Sequence, residues 1–416
     1  MPLDPDLIRL KFPALQSGEV YFDNPGGTQV PQQVIDRMAD YLVRTNANHG
    51  GAFRTSVESD ALIDESRAAV ADFLNAALPD EIVFGPNMTT LTFALSRAIG
   101  RTLQAGDEIV VTHLDHDGNI APWLALEQDL GLQLQWVDVH PEDVTLDMAD
   151  FEAKITERTK LVAVGYASNA VGTINDVKVI VEMAHAAGAQ VFVDAVQYAP
   201  HGPIDVQALD CDYLACSAYK FFGPHVGVLY GKYDLLQTLP AYKVRPAPAD
   251  PPGKFETGTQ NHEGIAGTLG AMEYLGWLGE NFGADYEEKY VGRSAGRRLV
   301  LKKAMSALRA YEIELGVKLI EGLESIPGLK IWGITNRKKL DRRVPTVSFT
   351  LKGHSPQEVA EHLASKGIFV WSGNFYALEI MRRLGLEEAG GVVRVGLAHY
   401  NTLGEVERLI EALQMS

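Results

Sequence analysis

Residues 189–220 read AQVFVDAVQYAPHGPIDVQALDCDYLACSAYK. The segment opens on an apolar, largely β-branched run, Gln190 to Val193, that stops at an acid, Asp194. A second run, Tyr213 to Ser217, stops just ahead of Lys220. Continuous apolar runs of this length predict strands buried on both faces, as in a parallel sheet. Polar side chains at the carboxyl ends of such strands are where α/β proteins place their sites. An acid and a lysine on one rim are what a pyridoxal phosphate (PLP) site needs. The lysine forms the Schiff base, and the acid keeps the pyridine nitrogen protonated so that the ring draws electrons. A surface Asp and a surface Lys would end the two runs equally well, so the pair needs support from the rest of the chain.

That support comes from the strands on either side. Glu81 to Phe84, Asp107 to Thr112 and Leu161 to Gly165 are further short apolar runs, and helical patterns fill 58–75, LTFALSRAIG and 177–188. Strands separated by helices of about 10–15 residues indicate βαβ units and a parallel sheet. Three strand ends carry polar clusters that contain His116, Asn169 and Asp194. The turn GPNMTT, between a strand and a helix, offers backbone N–H groups and a helix N-terminus to a phosphate. An ordinary strand-to-helix link has the same appearance, and neither GxxxxGK[ST] nor GxGxxG occurs in the chain. Prolines in YKVRPAPADPPGKFE, near 240–256, mark an irregular loop. A long charged helix is expected over 284–324, and from Pro327 onward short strands (329–332, 346–350) alternate with helices (356–366, 403–414). A second, smaller domain is expected there.

Composition narrows the function classes. The 416 residues suffice for two domains, at about 150 residues per domain. The net charge of -17 disfavours a nucleic-acid partner or an anionic membrane, both of which select clustered Lys and Arg. The two cysteines, Cys211 and Cys216, form no CxxC pair and exclude a disulfide scaffold. The N-terminus MPLDPDLIRLKF lacks a basic start followed by an apolar run, and no stretch approaches the roughly 18 apolar residues of a membrane helix. A cytoplasmic enzyme is expected. His113, His116 and Asp117 have a spacing found in metal sites, yet a role for His116 on the cofactor needs no ion, so no metal is expected.

The segment VDAVQYAPHGPIDVQALDCDYLACSAYKFFGPHVGVLYG, together with YFDNPGG and VRVGLAHYN, resembles the class V aminotransferase family of fold-type I PLP enzymes, on its cysteine desulfurase-like branch. The resemblance runs from about residue 20 to the C-terminus. It implies a large PLP-binding domain over 20–283, with a mainly parallel sheet between helices. It implies a smaller C-terminal α/β domain over 284–416, with 1–19 packed on it. By position, Lys220 would carry the Schiff base and shuttle the substrate Cα proton, and Asp194 would pair with the pyridinium. Gln197 and Asn169 would bond the ring's phenolic oxygen, and His116 would stack on the ring, with His113 structural. Ser217 and the turn Asn87-Met88-Thr89 would hold the phosphate. Thr259 would reach the phosphate of a partner subunit, which implies a homodimer. Arg394 would clamp the substrate carboxylate, a task suited to a planar guanidinium.

Departures from the family pattern bear on the reaction. Where the desulfurases present a cysteine on a mobile loop, WSGNFYALEI places Tyr376, with Trp371 where the loop's arginine is expected. Tyr219 stands where the family has a histidine before the lysine. Cys211 and Cys216 flank the core strand, where apolar surroundings keep thiols protonated, and are expected to be packing residues. Asn374, Tyr376 and Tyr219 are candidates for the substrate pocket or for domain packing. His49 is a candidate substrate contact or a plain loop histidine, and His399 has no assigned role. Transamination or β-elimination on an α-amino acid is the expected chemistry. A desulfurase or C–S lyase without the loop cysteine, an epimerase, and a catalytically silent binding module remain the alternatives.

Overall fold

The apolar runs become strands of one seven-stranded sheet in the structure, a computed structural model that describes residues 2–414. In chain order they are β1 (Ile82–Gly85), β2 (Glu108–Thr112), β3 (Gln133–Val137), β4 (Thr159–Gly165), β5 (Gln190–Asp194), β6 (Tyr213–Ser217) and β7 (Gly227–Gly231). They lie side by side as β1-β7-β6-β5-β4-β2-β3. β7 runs antiparallel to both neighbours, and every other adjacent pair is parallel. Alternate side chains leave opposite faces: Val110, Val162, Val191 and Val193 join one apolar cluster, Ile109, Val111, Leu161 and Phe192 another. Both faces are therefore covered, which is why these strands read as unbroken apolar runs.

Helices flank the sheet: α1 (Gln32–Asp40), α2 (Arg54–Leu74), α3 (Met88–Gly100), α4 (Ala121–Leu130), α5 (Val177–Ala186) and α6 (His262–Phe282). Their ends follow local chemistry. Asn87 caps α3 by accepting the Thr90 N–H at 2.8 Å, and Asn75 closes α2 in the left-handed region. The continuous helix predicted over 284–324 does not form. A single turn at Glu287–Tyr290 is followed by an interruption in which Gly292 takes φ 82°, and α7 (Gly296–Glu324) starts only afterwards. A left-handed glycine cannot continue a right-handed helix, and this ends the first turn.

The C-terminal strands β8 (Leu329–Trp332), β9 (Thr346–Leu351), β10 (Trp371–Gly373) and β11 (Val392–Gly396) form a second sheet, ordered β8-β9-β11-β10 and antiparallel throughout. Helices α8 (Pro356–Ser365) and α9 (Leu403–Leu413) both open on a capping box, Ser355 with Glu358 and Thr402 with Glu405. The first half of α7 (Leu301, Met305, Leu308) packs into the large core, and its second half (Leu315, Leu319, Leu323) into the C-terminal one. The N-terminal segment touches both. Phe12 packs against Tyr274 and Tyr400, while Arg9 pairs with Glu405 at 2.8 Å. No helix among the described residues is long and apolar enough to cross a membrane.

Candidate active site

The carboxyl ends of β4, β5 and β6 open onto a cleft of about 630 Å³. Lys220 follows β6 on a tight turn, buried, with its Nζ donating to the Pro25 carbonyl. Burial first, then the positive charge of Arg394, pulls its pKa down to about 7; Asp23 and Asp194 oppose the fall. The amine is thus substantially neutral, and nucleophilic, near pH 7. Asp194 ends β5 and accepts the Val196 N–H on Oδ1 at 2.9 Å. Burial pushes its carboxyl up to about 6, against the pull of that N–H and of Lys220. A buried acid of this kind gains most from a cationic partner delivered into the cleft.

His116 lines the cleft with Nδ1 accepting the Gly118 N–H at 2.9 Å, so the neutral ring carries its proton on Nε2. Burial, then the charges of Lys220 and Arg394, lowers its pKa to about 4. The ring is neutral at every physiological pH and offers a flat face rather than a charge. Asn169 donates to the Phe375 carbonyl at 2.8 Å, and Gln197 donates to the Thr346 hydroxyl at 3.0 Å. The amide oxygens, Asn169 Oδ1 and Gln197 Oε1, are buried without a partner among the described residues. At the far end the Ser217 hydroxyl accepts the Met88 N–H at 3.0 Å, and Met88 and Thr89 begin α3. The positive end of that helix dipole suits a phosphate.

Arg394, on β11, is buried against the cleft. Its Nη2 meets Asp23 Oδ1 at 3.1 Å, its Nη1 donates to the Asn169 carbonyl at 3.1 Å, and its guanidinium carbon lies 4.0 Å from the Phe375 ring centre. Its Nε has no partner among the described residues. Phe375 and Tyr376 both adopt left-handed backbone, φ 56° and 57°, and the Tyr376 carbonyl accepts the Asp117 N–H at 2.6 Å. The Tyr376 ring stands 5.7 Å from His116 and is 73% exposed, so it closes the mouth of the cleft rather than its floor. Asn374, Trp371 and Tyr219 also line the cleft, with Tyr219 stacked on His225 at 4.9 Å.

Lys220, Asp194, His116, Asn169, Gln197, Ser217, Met88, Thr89, Arg394, Asn374 and Tyr376 therefore converge on one cavity. Thr259 and His49 do not: both are exposed and outside it. His113 turns away to stack on Trp136 at 5.0 Å. His399 is fully buried and meets the Tyr274 hydroxyl at 2.5 Å, a core contact. Cys211 and Cys216 are fully buried; burial raises the pKa of both thiols, that of Cys211 to about 12.

Two acids in the site have no signal in the sequence that marks them. Asp23, inside the quoted YFDNPGG, pairs with Arg394 across 371 residues of chain. Asp115, one residue before His116, is buried in the cleft wall, where it receives the Thr112 hydroxyl at 2.5 Å and the Asn119 amide at 3.0 Å. Nothing about an isolated acid beside a turn announces burial; only the third dimension brings it to its partner.

A family model described as "Aminotransferase class-V" matches residues 20–297 and 288–409. Among curated relatives, a cysteine desulfurase of Synechococcus elongatus is 37% identical over 98% of this chain, which spans 63% of that protein's length. The aminotransferase-like protein FGM3 of Gibberella zeae is 36% identical, with 98% of this chain and 97% of that protein covered. Among solved structures, the apo cysteine desulfurase of Thermococcus onnurineus NA1 superposes with a TM-score of 0.86 at 30% identity, covering 100% of this chain and 98% of that one.

Proposed function

We propose, from the premise that this chain belongs to the class-V aminotransferase family, that its cleft holds an α-amino acid between Lys220 and Arg394 and transforms it without a thiol of its own. The chain is a PLP-dependent enzyme that acts on amino acids. The fit of the cofactor rests on the donor set. The cleft offers a primary amine with a depressed pKa, a buried acid, a neutral imidazole face, a helix N-terminus and two orphaned amide oxygens. When bound, PLP supplies an electron sink that weakens the bond between the amino-acid α-carbon and its proton.

The residues then divide the work. Lys220 would hold the cofactor and, as a neutral amine, would accept the α-proton on Nζ. Asp194 would hold the ring nitrogen, His116 a ring face, and Gln197 and Asn169 the ring's oxygen. Ser217, Met88 and Thr89 take the phosphate. Arg394 fixes the substrate carboxylate and with it the direction in which the α-proton points. Thr259 is read as serving the cleft of a second copy, which makes the enzyme a homodimer. The exposure of Thr259 outside its own cleft supports this. We read 20–283 and 284–416, with 1–19 packed on the latter, as the two domains, and the cytoplasm as the compartment.

One observation carries the choice among reactions: the only two cysteines of the chain are buried in the core, and the mouth of the cleft carries Tyr376. Transamination or β-elimination fits such a cleft, since neither needs a protein persulfide. A second reading, desulfuration of cysteine to alanine with its sulfur passed to a free thiol as a persulfide, draws on the desulfurase relatives. The test incubates the holoenzyme with a panel of amino acids and identifies the products. A keto acid supports the first reading. Sulfide formation abolished in Cys216→Ser overturns the thiol-free proposal.

A further inference from the structure

We infer that Asp23 is a resident counter-ion of Arg394, a positioning residue that sets how tightly the substrate carboxylate is held. This rests on the reading of Arg394 as the carboxylate clamp.

The guanidinium of Arg394 is enclosed on three sides by its own protein. One N–H of Nη1 is spent on the Asn169 carbonyl and one of Nη2 on Asp23 Oδ1, each at 3.1 Å, and the Phe375 ring covers the plane at 4.0 Å. A guanidinium has five N–H donors, so one N–H on each Nη and the buried, unpaired Nε–H remain for a ligand. A buried donor without an acceptor is costly, so an incoming carboxylate gains most from these remaining N–H groups. Asp23 thus fixes the orientation in which the guanidinium presents its remaining N–H groups. It also cancels much of the charge the ligand would feel. The side chains of Asp23 and Arg394 are 14% and 4% exposed, so solvent screens this pair only weakly.

The placement of Asp23 is built into the chain. Its backbone bridges to Gly396, two residues past Arg394. The Gly26 N–H donates to the Asp23 carbonyl at 3.0 Å. A Cβ added at Gly26 would lie 2.8 Å from the Asp23 carboxyl carbon, so only glycine leaves that carboxylate its seat. The same turn supplies the Pro25 carbonyl to Lys220. One five-residue turn therefore engages both cations of the site. A clamp balanced in this way holds a carboxylate by geometry more than by net charge, which favours exchange of substrate and product over tight capture.

The test is a calorimetric titration of the holoenzyme with propionate, a carboxylate that lacks an amino group. Asp23→Asn keeps the shape and an acceptor for Nη2 but removes the charge, and is expected to tighten propionate binding by about tenfold. Gly26→Ala, which displaces the carboxylate while retaining it, should change affinity in the same direction. Arg394→Lys should weaken binding at least as strongly. Propionate affinity unchanged or weakened in both Asp23→Asn and Gly26→Ala, with Arg394→Lys still impaired, overturns the counter-ion role alone. Unchanged affinity in Arg394→Lys overturns the clamp reading itself.

Discussion

Asp115 and Asp194 are two buried carboxyls in one cleft wall: Asp115 Oδ1 lies over Gly165, at 2.9 Å from where a Cβ would stand, and Gly165 is the cross-strand partner of Asp194. Burial raises the Asp115 carboxyl to about 7, the charge of Asp194 adds to that rise, and Asp194 itself lies at about 6. Both values exceed those of the unfolded chain, so between about pH 4 and 7 the folded protein binds more protons than the unfolded one. Stability of the cofactor-free protein should fall as pH rises through that window. Asp115→Asn removes part of the penalty. It should stabilise by ~2 kcal/mol at pH 8 and by little at pH 4. Urea denaturation of both proteins at the two pH values decides it; an equal difference at each pH would rule the coupling out.

Lys220 governs a second pH effect. Its amine, drawn down to about 7, is reactive well below the range of an ordinary lysine. The rate at which the cofactor-free protein takes up PLP should rise from pH 6 and level off by about pH 8, instead of climbing to about pH 10. Stopped-flow absorbance records this. Lys220→Ala should show no such absorbance change at any pH.

Gly227 bears on phosphate affinity. Any side chain there would drive a Cβ to 2.7 Å from the Asn87 Cα, at the residue that caps α3. Gly227→Ala should shift the start of that helix and cost about 1–3 kcal/mol of packing. The expected signature is weaker PLP binding, by about tenfold or more, in a protein that keeps its fold by circular dichroism.

Cys211 and Cys216 should resist iodoacetamide in the native protein and react fully once it is unfolded, because burial holds both as thiols. Cys216→Ser puts a hydroxyl among apolar neighbours and should cost about 1–2 kcal/mol of stability, while turnover per folded molecule stays the same. Mass spectrometry of labelled protein and a thermal melt read both effects.

How much of this was legible in the sequence follows from which signals are local. Asp194, Lys220 and Asn169 could be found because parallel strands buried on both faces are unbroken apolar runs, and their ends are visible as interruptions. The N-terminus of α3 announced itself through Asn87 and the small residues before it. β7, in contrast, follows a turn after Lys220 and was seen only as a family motif, since a five-residue strand rich in glycine has little pattern of its own. The break near Gly292 was hidden by good helix formers on either side. Asp23 and Asp115 were invisible because burial of a lone acid is decided by what the fold places above it. Arg394 was located by resemblance; that its guanidinium is already half engaged was not.

The bond between Asp23 and Arg394 joins residues 371 positions apart in the chain. Contacts of such sequence separation form only after a large entropy of chain closure has been overcome, so they belong to the last stages of folding. A nascent chain still short of its final strands can assemble most of the seven-stranded sheet, yet it lacks the arginine that would orient a substrate. Synthesis that stops before residue 394 therefore yields a protein that could carry a reactive cofactor but not direct it, and the enzyme becomes competent only once Arg394 has been made.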